Sequence, residues 1–231
     1  MIRRPPRSTQ GVSSAASDVY KRQSTCVGVG QIAIGHPFDT TLVLIQNKKK
    51  WIRLPIRYYY KGWRFPLTNS LVNNITVFPI NKRLQKYTHS YFLSGFISGC
   101  IAFPTVYGFN HYKIHKQTNQ KTSIQKLLKG RGLFSTFLRE SIAMSLYFGT
   151  YHKARDSGYN SFVSGGISGL ANWTFSYPID VIMSRQIAQN ISISQAYKQG
   201  ALWKGYSICA FRAVLENSIN FSIYEFVINN L

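Results

Sequence analysis

Three glycines stand 70 and 73 residues apart, each closing a short basic motif, and the chain's other landmarks keep step with them. The motifs are Tyr60-Lys61-Gly62, Gly130-Arg131-Gly132 and Trp203-Lys204-Gly205. A phenylalanine follows each glycine by sixteen residues (Phe78, Phe148, Phe221), and a further glycine precedes each of Pro37, Pro104 and Pro178 by nine (Gly28, Gly95, Gly169). The first and third prolines share a longer pattern, GHPFDTTLVLIQ at 35–46 and SYPIDVIMSRQ at 176–186, which sets Asp39 and Asp180 two residues on. Four anchors in one register define three diverged copies of one unit, at 24–86, 87–156 and 157–231. Residues 1–23 are Arg- and Ser-rich and change character abruptly at Ser24. They read as a non-native or disordered segment, with a transit peptide as the other reading, and stand outside the fold argument. On the first reading, the true start of the first span is missing.

Each unit reads as a helix bent at or ending in its proline, a short basic segment, and a second helix starting near Gly62, Gly132 or Gly205. Uncharged runs of 17, 20 and 21 residues cover 65–81, 91–110 and 159–179, near the length a helix needs to cross the hydrocarbon layer. Their Gly, Ser, Thr and aromatic content suits helices packed around a polar cavity better than helices bathed in lipid. The charge balance agrees. Twenty-eight Lys and Arg against seven Asp and Glu give +21, which in a soluble chain would point to nucleic acid. Here the cations gather between the uncharged runs. The segments 47–64 and 113–131 hold seven and six, against three and two in the connections at 82–86 and 153–156. That bias orients spans and excludes a nucleic-acid partner. Cys26, Cys100 and Cys209 are far apart with no ligand spacing, so they are small apolar fillers. No enzyme constellation, metal site or cofactor motif is present.

Three tandem repeats, Pro-x-Asp at the end of first helices and aromatic-basic-Gly before second helices resemble the mitochondrial carrier family. The resemblance covers 24–231. It implies an all-α membrane protein with six transmembrane helices in three tandem pseudo-threefold repeats around a central cavity. It also implies a multi-pass monomer of the mitochondrial inner membrane, working by alternating access. The basic motifs ending in Gly62, Gly132 and Gly205 resemble the family's cardiolipin sites, where helix N-termini meet a lipid phosphate.

The family closes its matrix side with an ion-pair ring built on Pro-x-[Asp/Glu]-x-x-[Lys/Arg]. Asp39 and Asp180 keep two acids, Val106 replaces the third, and Leu42, Phe109 and Met183 replace the three bases. The standard ring therefore cannot form, and Asp39 and Asp180 are expected to take other cations, such as Arg185 or Lys113. An acid inside a span is costly enough to mark both as functional. At the cytosolic gate His152, Arg155 and Glu225 remain, enough for a partial ring.

Seven positions beyond the three glycines lie Asn69, Arg139 and Arg212, which the resemblance places at mid-membrane facing the cavity. Arg139-Glu140 resembles the amino-acid and related zwitterion carriers. A guanidinium suits a carboxylate and an acid suits an ammonium. Asn69, Ser70, Arg139, Glu140, Arg212 and Glu216 are thus the expected substrate residues, with Glu140 receiving the ammonium. The expected function is transport of an amino acid or similar zwitterion. The alternative is a carrier fold without transport that serves as a docking or insertion factor.

Overall fold

The computed structural model describes residues 32–33, 35–49, 54–121, 124–214 and 216. Gly28, Cys26, Phe221 and Glu225 lie outside them, as do residues 1–23. Among the described residues every regular element is a helix: α1 (35–46), α2 (Ile56–Tyr59), α3 (Arg64–Thr88), α4 (Tyr91–Gln117), α5 (Ile124–Leu128), α6 (Leu133–Asp156), α7 (Ser161–Gln189), α8 (Ile193–Lys198) and α9 (206–214).

Local chemistry sets the helix ends. The Ser90 hydroxyl and the Asn160 side chain accept the Leu93 and Val163 amides at the starts of α4 and α7, filling donors that no helical carbonyl can reach. Ser192 and Gln195 form a reciprocal capping box on α8. The three repeat glycines precede α3, α6 and α9 with φ of 80°, 84° and 92°, a left-handed backbone that side chains resist. Space forbids a side chain at two of them as well. A Cβ at Gly132 would lie 2.7 Å from the Ile187 side chain, and one at Gly205 would lie 2.9 Å from the Tyr177 hydroxyl. The repeat seen in sequence is thus a repeated backbone turn into a helix.

The prolines behave differently from one part of the expectation. Pro104 and Pro178 sit inside α4 and α7, and both helices run on past them to Gln117 and Gln189. These extensions carry Lys113 and Ser184, which the site uses.

The long helices α3, α4, α6 and α7 contain 24 to 29 residues. At 1.5 Å per residue each is long enough to cross about 30 Å of hydrocarbon. Among the described residues α4 alone is also apolar enough to do so by composition. Polar positions on the others turn inward, as on α6, where Ser135, Thr136, Glu140 and Ser141 are buried. The outward faces carry Phe96, Ile101, Phe134, Phe162, Leu170, Phe175 and Phe211.

Helix α4 packs on α3 and α6, and α6 on α7. The α4–α6 approach is close because Gly95 and Gly99, one turn apart, face the α6 backbone. A Cβ at Gly99 would lie 2.5 Å from the Glu140 carbonyl oxygen, whereas one at Gly108 would meet nothing within 4 Å. Gly99→Ala is therefore expected to cost about 1–3 kcal/mol by overpacking. Thermal unfolding in detergent measures it, with Gly108→Ala as the near-neutral control.

At one end of the bundle α1, α4 and α7 converge. Gln117 Nε2 donates to the Thr40 hydroxyl at 3.0 Å, and Asn47 Nδ2 to the Ser184 hydroxyl at 2.9 Å. Among α1, α4 and α7 there is also an apolar contact, through Val43, Tyr107, Ile114, Met183, Ile187 and Ala188. This end also carries the basic segments.

A candidate charged cavity at the convergence of the helices

A cavity of about 190 Å³ lies just inside the converged ends. Its wall takes Asn69 from α3, Arg139 from α6 and Arg212 from α9, the three positions spaced identically from the repeat glycines. Asp39, Gln46, Lys113, Trp173 and Asp180 are among its other polar and aromatic lining residues.

The charges are paired across helices. Lys113 Nζ donates to Asp39 Oδ2 at 2.6 Å, joining α4 to α1, and Arg212 pairs with the other oxygen of Asp39. Arg139 pairs with its neighbour Glu140, and its Nε lies 3.5 Å from Asp180 Oδ1 on α7. Gln46 Nε2 donates to Asp180 Oδ2 at 3.1 Å. Glu216 stands 3.9 Å from Arg212. Both guanidiniums also lie over the Trp173 indole, 5.4 Å (Arg139) and 4.7 Å (Arg212) from its centre. An aromatic face attracts a cation without fixing its direction.

Among the described residues, three polar atoms in this shell are buried without a hydrogen bond: Asn69 Oδ1, Arg212 Nε, and Arg139 Nε, which has only the 3.5 Å ion-pair contact to Asp180. Each belongs to the residue seven beyond a repeat glycine. Buried polar groups are nearly always satisfied, so three unfilled ones at equivalent places on one wall suit a ligand.

The structure departs from the sequence expectations at Arg185, Glu140 and Ser70, and Glu216, which approaches Arg212, is not among the residues lining the cavity. Arg185 does not meet Asp39 or Asp180. It is buried and donates to the carbonyl oxygens of Gln46, Ala196 and Gly200 at 2.9, 3.0 and 2.8 Å, tying α8 and its following turn to α1. Five residues from Asp180 on one helix is about 140° of rotation, which carries Arg185 away from the cavity. Glu140 does not line the cavity either. It is 3% exposed, and its backbone lies against Gly99, about 100° round the helix from the wall that Arg139 faces. Ser70 is likewise off the wall and partly buried.

The absence of charge at Leu42 and Phe109 has a physical counterpart. Gln46 and Lys113 lie four residues further on, on the same helix face one turn deeper, and they take up Asp180 and Asp39. At the opposite end His152 meets Gln85 Nε2 at 3.1 Å and stacks on Tyr91 at 4.2 Å, while Arg155 donates to the Tyr159 carbonyl at 3.0 Å. Trp173, Gln46, Asn110 and Ser184 are cavity residues that sequence reasoning missed. The helical period from Leu42 could have found Gln46. No sequence pattern singled out Trp173.

Residues 154–231 match the family model described as mitochondrial carrier protein. The chain is 25% identical to the mitochondrial glycine transporter YMC1 of Saccharomyces cerevisiae, across 87% of each chain. It is 25% identical to the mitochondrial arginine transporter BAC2 of Arabidopsis thaliana, across 86% of each. It is 28% identical to the mitochondrial basic amino acids transporter of Homo sapiens, across 74% of this chain and 72% of that one. The chain is thus similar to the mitochondrial carrier family, through the family model over its last third and through relatives of that family over most of its length. Members of this family are transporters of small molecules in the mitochondrial inner membrane and are not enzymes.

Proposed function

We propose that this chain moves an amino acid or a closely related zwitterion across the mitochondrial inner membrane by alternating access. In this reading α1, α4 and α7 are the first helices of three repeats and α3, α6 and α9 the second, giving six spans around the cavity. The observation that carries it is the trio of unfilled polar atoms on Asn69, Arg139 and Arg212. Two Nε donors suit a carboxylate and the Asn69 carbonyl oxygen suits an ammonium hydrogen. The relatives named for glycine, arginine and basic amino acids support the same class. A carrier fold retired from transport would have no use for three unfilled groups in three equivalent places.

The gates follow from the pairs already described. Asp39 with Lys113 and Asp180 with Gln46 hold α1 to α4 and α7 at the matrix end, and opening must part them. His152 with Gln85 holds the cytosolic end; Arg155 joins them as a gating charge, and Glu225, outside the described residues, is assigned to this gate from the sequence pattern alone. Glu140 acts through Arg139, fixing its guanidinium and not touching the ligand. Gly62, Gly132 and Gly205 open helix N-termini towards lipid phosphates such as cardiolipin's.

Ligand-dependent thermal stabilisation of the detergent-purified chain tests the substrate class. Amino acids should raise the unfolding temperature, and 2-keto acids of the same side chain, which lack the ammonium, should not. Stabilisation by keto acids alone, or by neither class, overturns the reading. The same assay checks the aromatic platform. Trp173→Leu should weaken the apparent affinity about tenfold by releasing both guanidiniums, and Trp173→Phe should keep part of it.

A further inference from the structure

We infer that His111 and His115 form a binding site for zinc or a similar first-row divalent ion, at the converged end of the bundle and apart from the charged cavity. The two histidines stand four residues apart near the end of α4, so both rings leave one helix face a single turn from each other. Their ring centres are 4.5 Å apart at an angle of 70°, and the two Nε2 atoms are 3.3 Å from one another. That is long for a hydrogen bond between nitrogens. Two zinc–nitrogen bonds at a tetrahedral angle span about 3.3 Å, so one ion meets both nitrogens with the rings where they stand. The sequence expectation of no metal site had weighed the distant cysteines and not this pair.

The end of α4 holds one ring in the tautomer a metal requires. The helix stops at a left-handed residue, Asn119 (φ 60°), and the next amide, that of Gln120, donates back to the His115 carbonyl at 2.9 Å. This return lays Gln120 Oε1 3.1 Å from His115 Nδ1. A carbonyl oxygen can only accept, so Nδ1 carries the proton and the Nε2 lone pair is left for the ion. Ligand histidines are commonly oriented by such a second hydrogen bond. A cavity of about 290 Å³ adjoins the pair, with Ala188 and Asn190 from the end of α7 and Arg131 in its wall. Each water needs about 30 Å³, so the waters completing the ion's shell have room. Among the described residues no carboxylate lines this cavity, while Arg131 does. Magnesium and calcium, which want several oxygen ligands, are therefore disfavoured, whereas imidazole nitrogens suit zinc. Two protein ligands make the site exchangeable, unlike the closed four-ligand sites that hold structural zinc.

The untagged, detergent-purified full chain tests this through its unfolding temperature, with no transported substrate needed. Zinc chloride should raise that temperature saturably, EDTA should reverse the rise, and magnesium chloride at the same concentration should have no effect. In His111→Gln and His115→Gln the zinc concentration giving half the rise should increase at least about tenfold, and in Gln120→Leu about tenfold. His89→Gln, in an exposed turn, should leave the response intact. No zinc-dependent rise in the unaltered chain, or an equal rise with magnesium, overturns the inference. A rise that both His111→Gln and His115→Gln retain puts the zinc elsewhere and overturns it as well. The comparison of zinc with magnesium on the unaltered chain does not depend on any variant folding.

Discussion

Asparagine at position 39 will disable this protein more completely than any other single exchange at the cavity. Among the described residues, Asp39 is the one carboxylate that holds two cations from two other helices, Lys113 of α4 and Arg212 of α9. The amide keeps the shape but carries no charge, so both cations lose their shared anion inside the bundle. Breaking a buried pair by removing one partner costs about 3–5 kcal/mol, mostly through the charge left behind. The expected result is a large fall in thermal stability in detergent together with uptake at background. Asp180→Asn should be much milder. Its Gln46 contact is a neutral hydrogen bond that an amide can still accept, and its cation is only at 3.5 Å and has Glu140 besides. Similar losses for the two variants would show that the convergence of α1, α4 and α7 does not hinge on Asp39.

The second large effect belongs to the paired guanidiniums. Arg139→Lys and Arg212→Lys each retain the positive charge, so ion pairs to Glu140 and Asp39 can persist and the fold should survive. What disappears is the planar fork and the Nε donor, unfilled in the structure and proposed here to meet the substrate carboxylate. Losing a buried charge-assisted contact costs about 2 kcal/mol or more, so affinity should fall about thirtyfold or further in each variant. Stability should change little by comparison. Binding that survives both substitutions would place the carboxylate elsewhere in the cavity.

Much of this was legible in the sequence because it is periodic. Gly62, Gly132 and Gly205 mark a left-handed turn into a helix, and counting seven residues on from each reached Asn69, Arg139 and Arg212 without coordinates. The shared Pro-x-Asp pattern located Asp39 and Asp180. Sequence reasoning failed where the decisive variable was direction round a helix. Glu140 and Arg185 were chosen for charge and proximity in sequence, but rotations of about 100° and 140° turn them away from the wall that Arg139 and Asp180 face. Lys113 was expected as a partner and does take Asp39, whereas Gln46, one turn beyond Leu42, was overlooked. Only the passage of α4 through Pro104 and of α1 past Leu42 makes that extra turn available. Trp173 gave no signal at all, since an aromatic in a span is ordinary until two arginines are found on its face.

The central claim is that the cavity walled by Asn69, Arg139 and Arg212 carries an amino acid through the membrane. Uptake of labelled amino acids by the purified chain in sealed liposomes, loaded with the same amino acid, measures it most directly. The account predicts saturable, time-dependent uptake that is lost in Asp39→Asn and strongly weakened in Arg139→Lys and Arg212→Lys. No uptake of any amino acid by correctly folded protein, or uptake indifferent to all three substitutions, would contradict it.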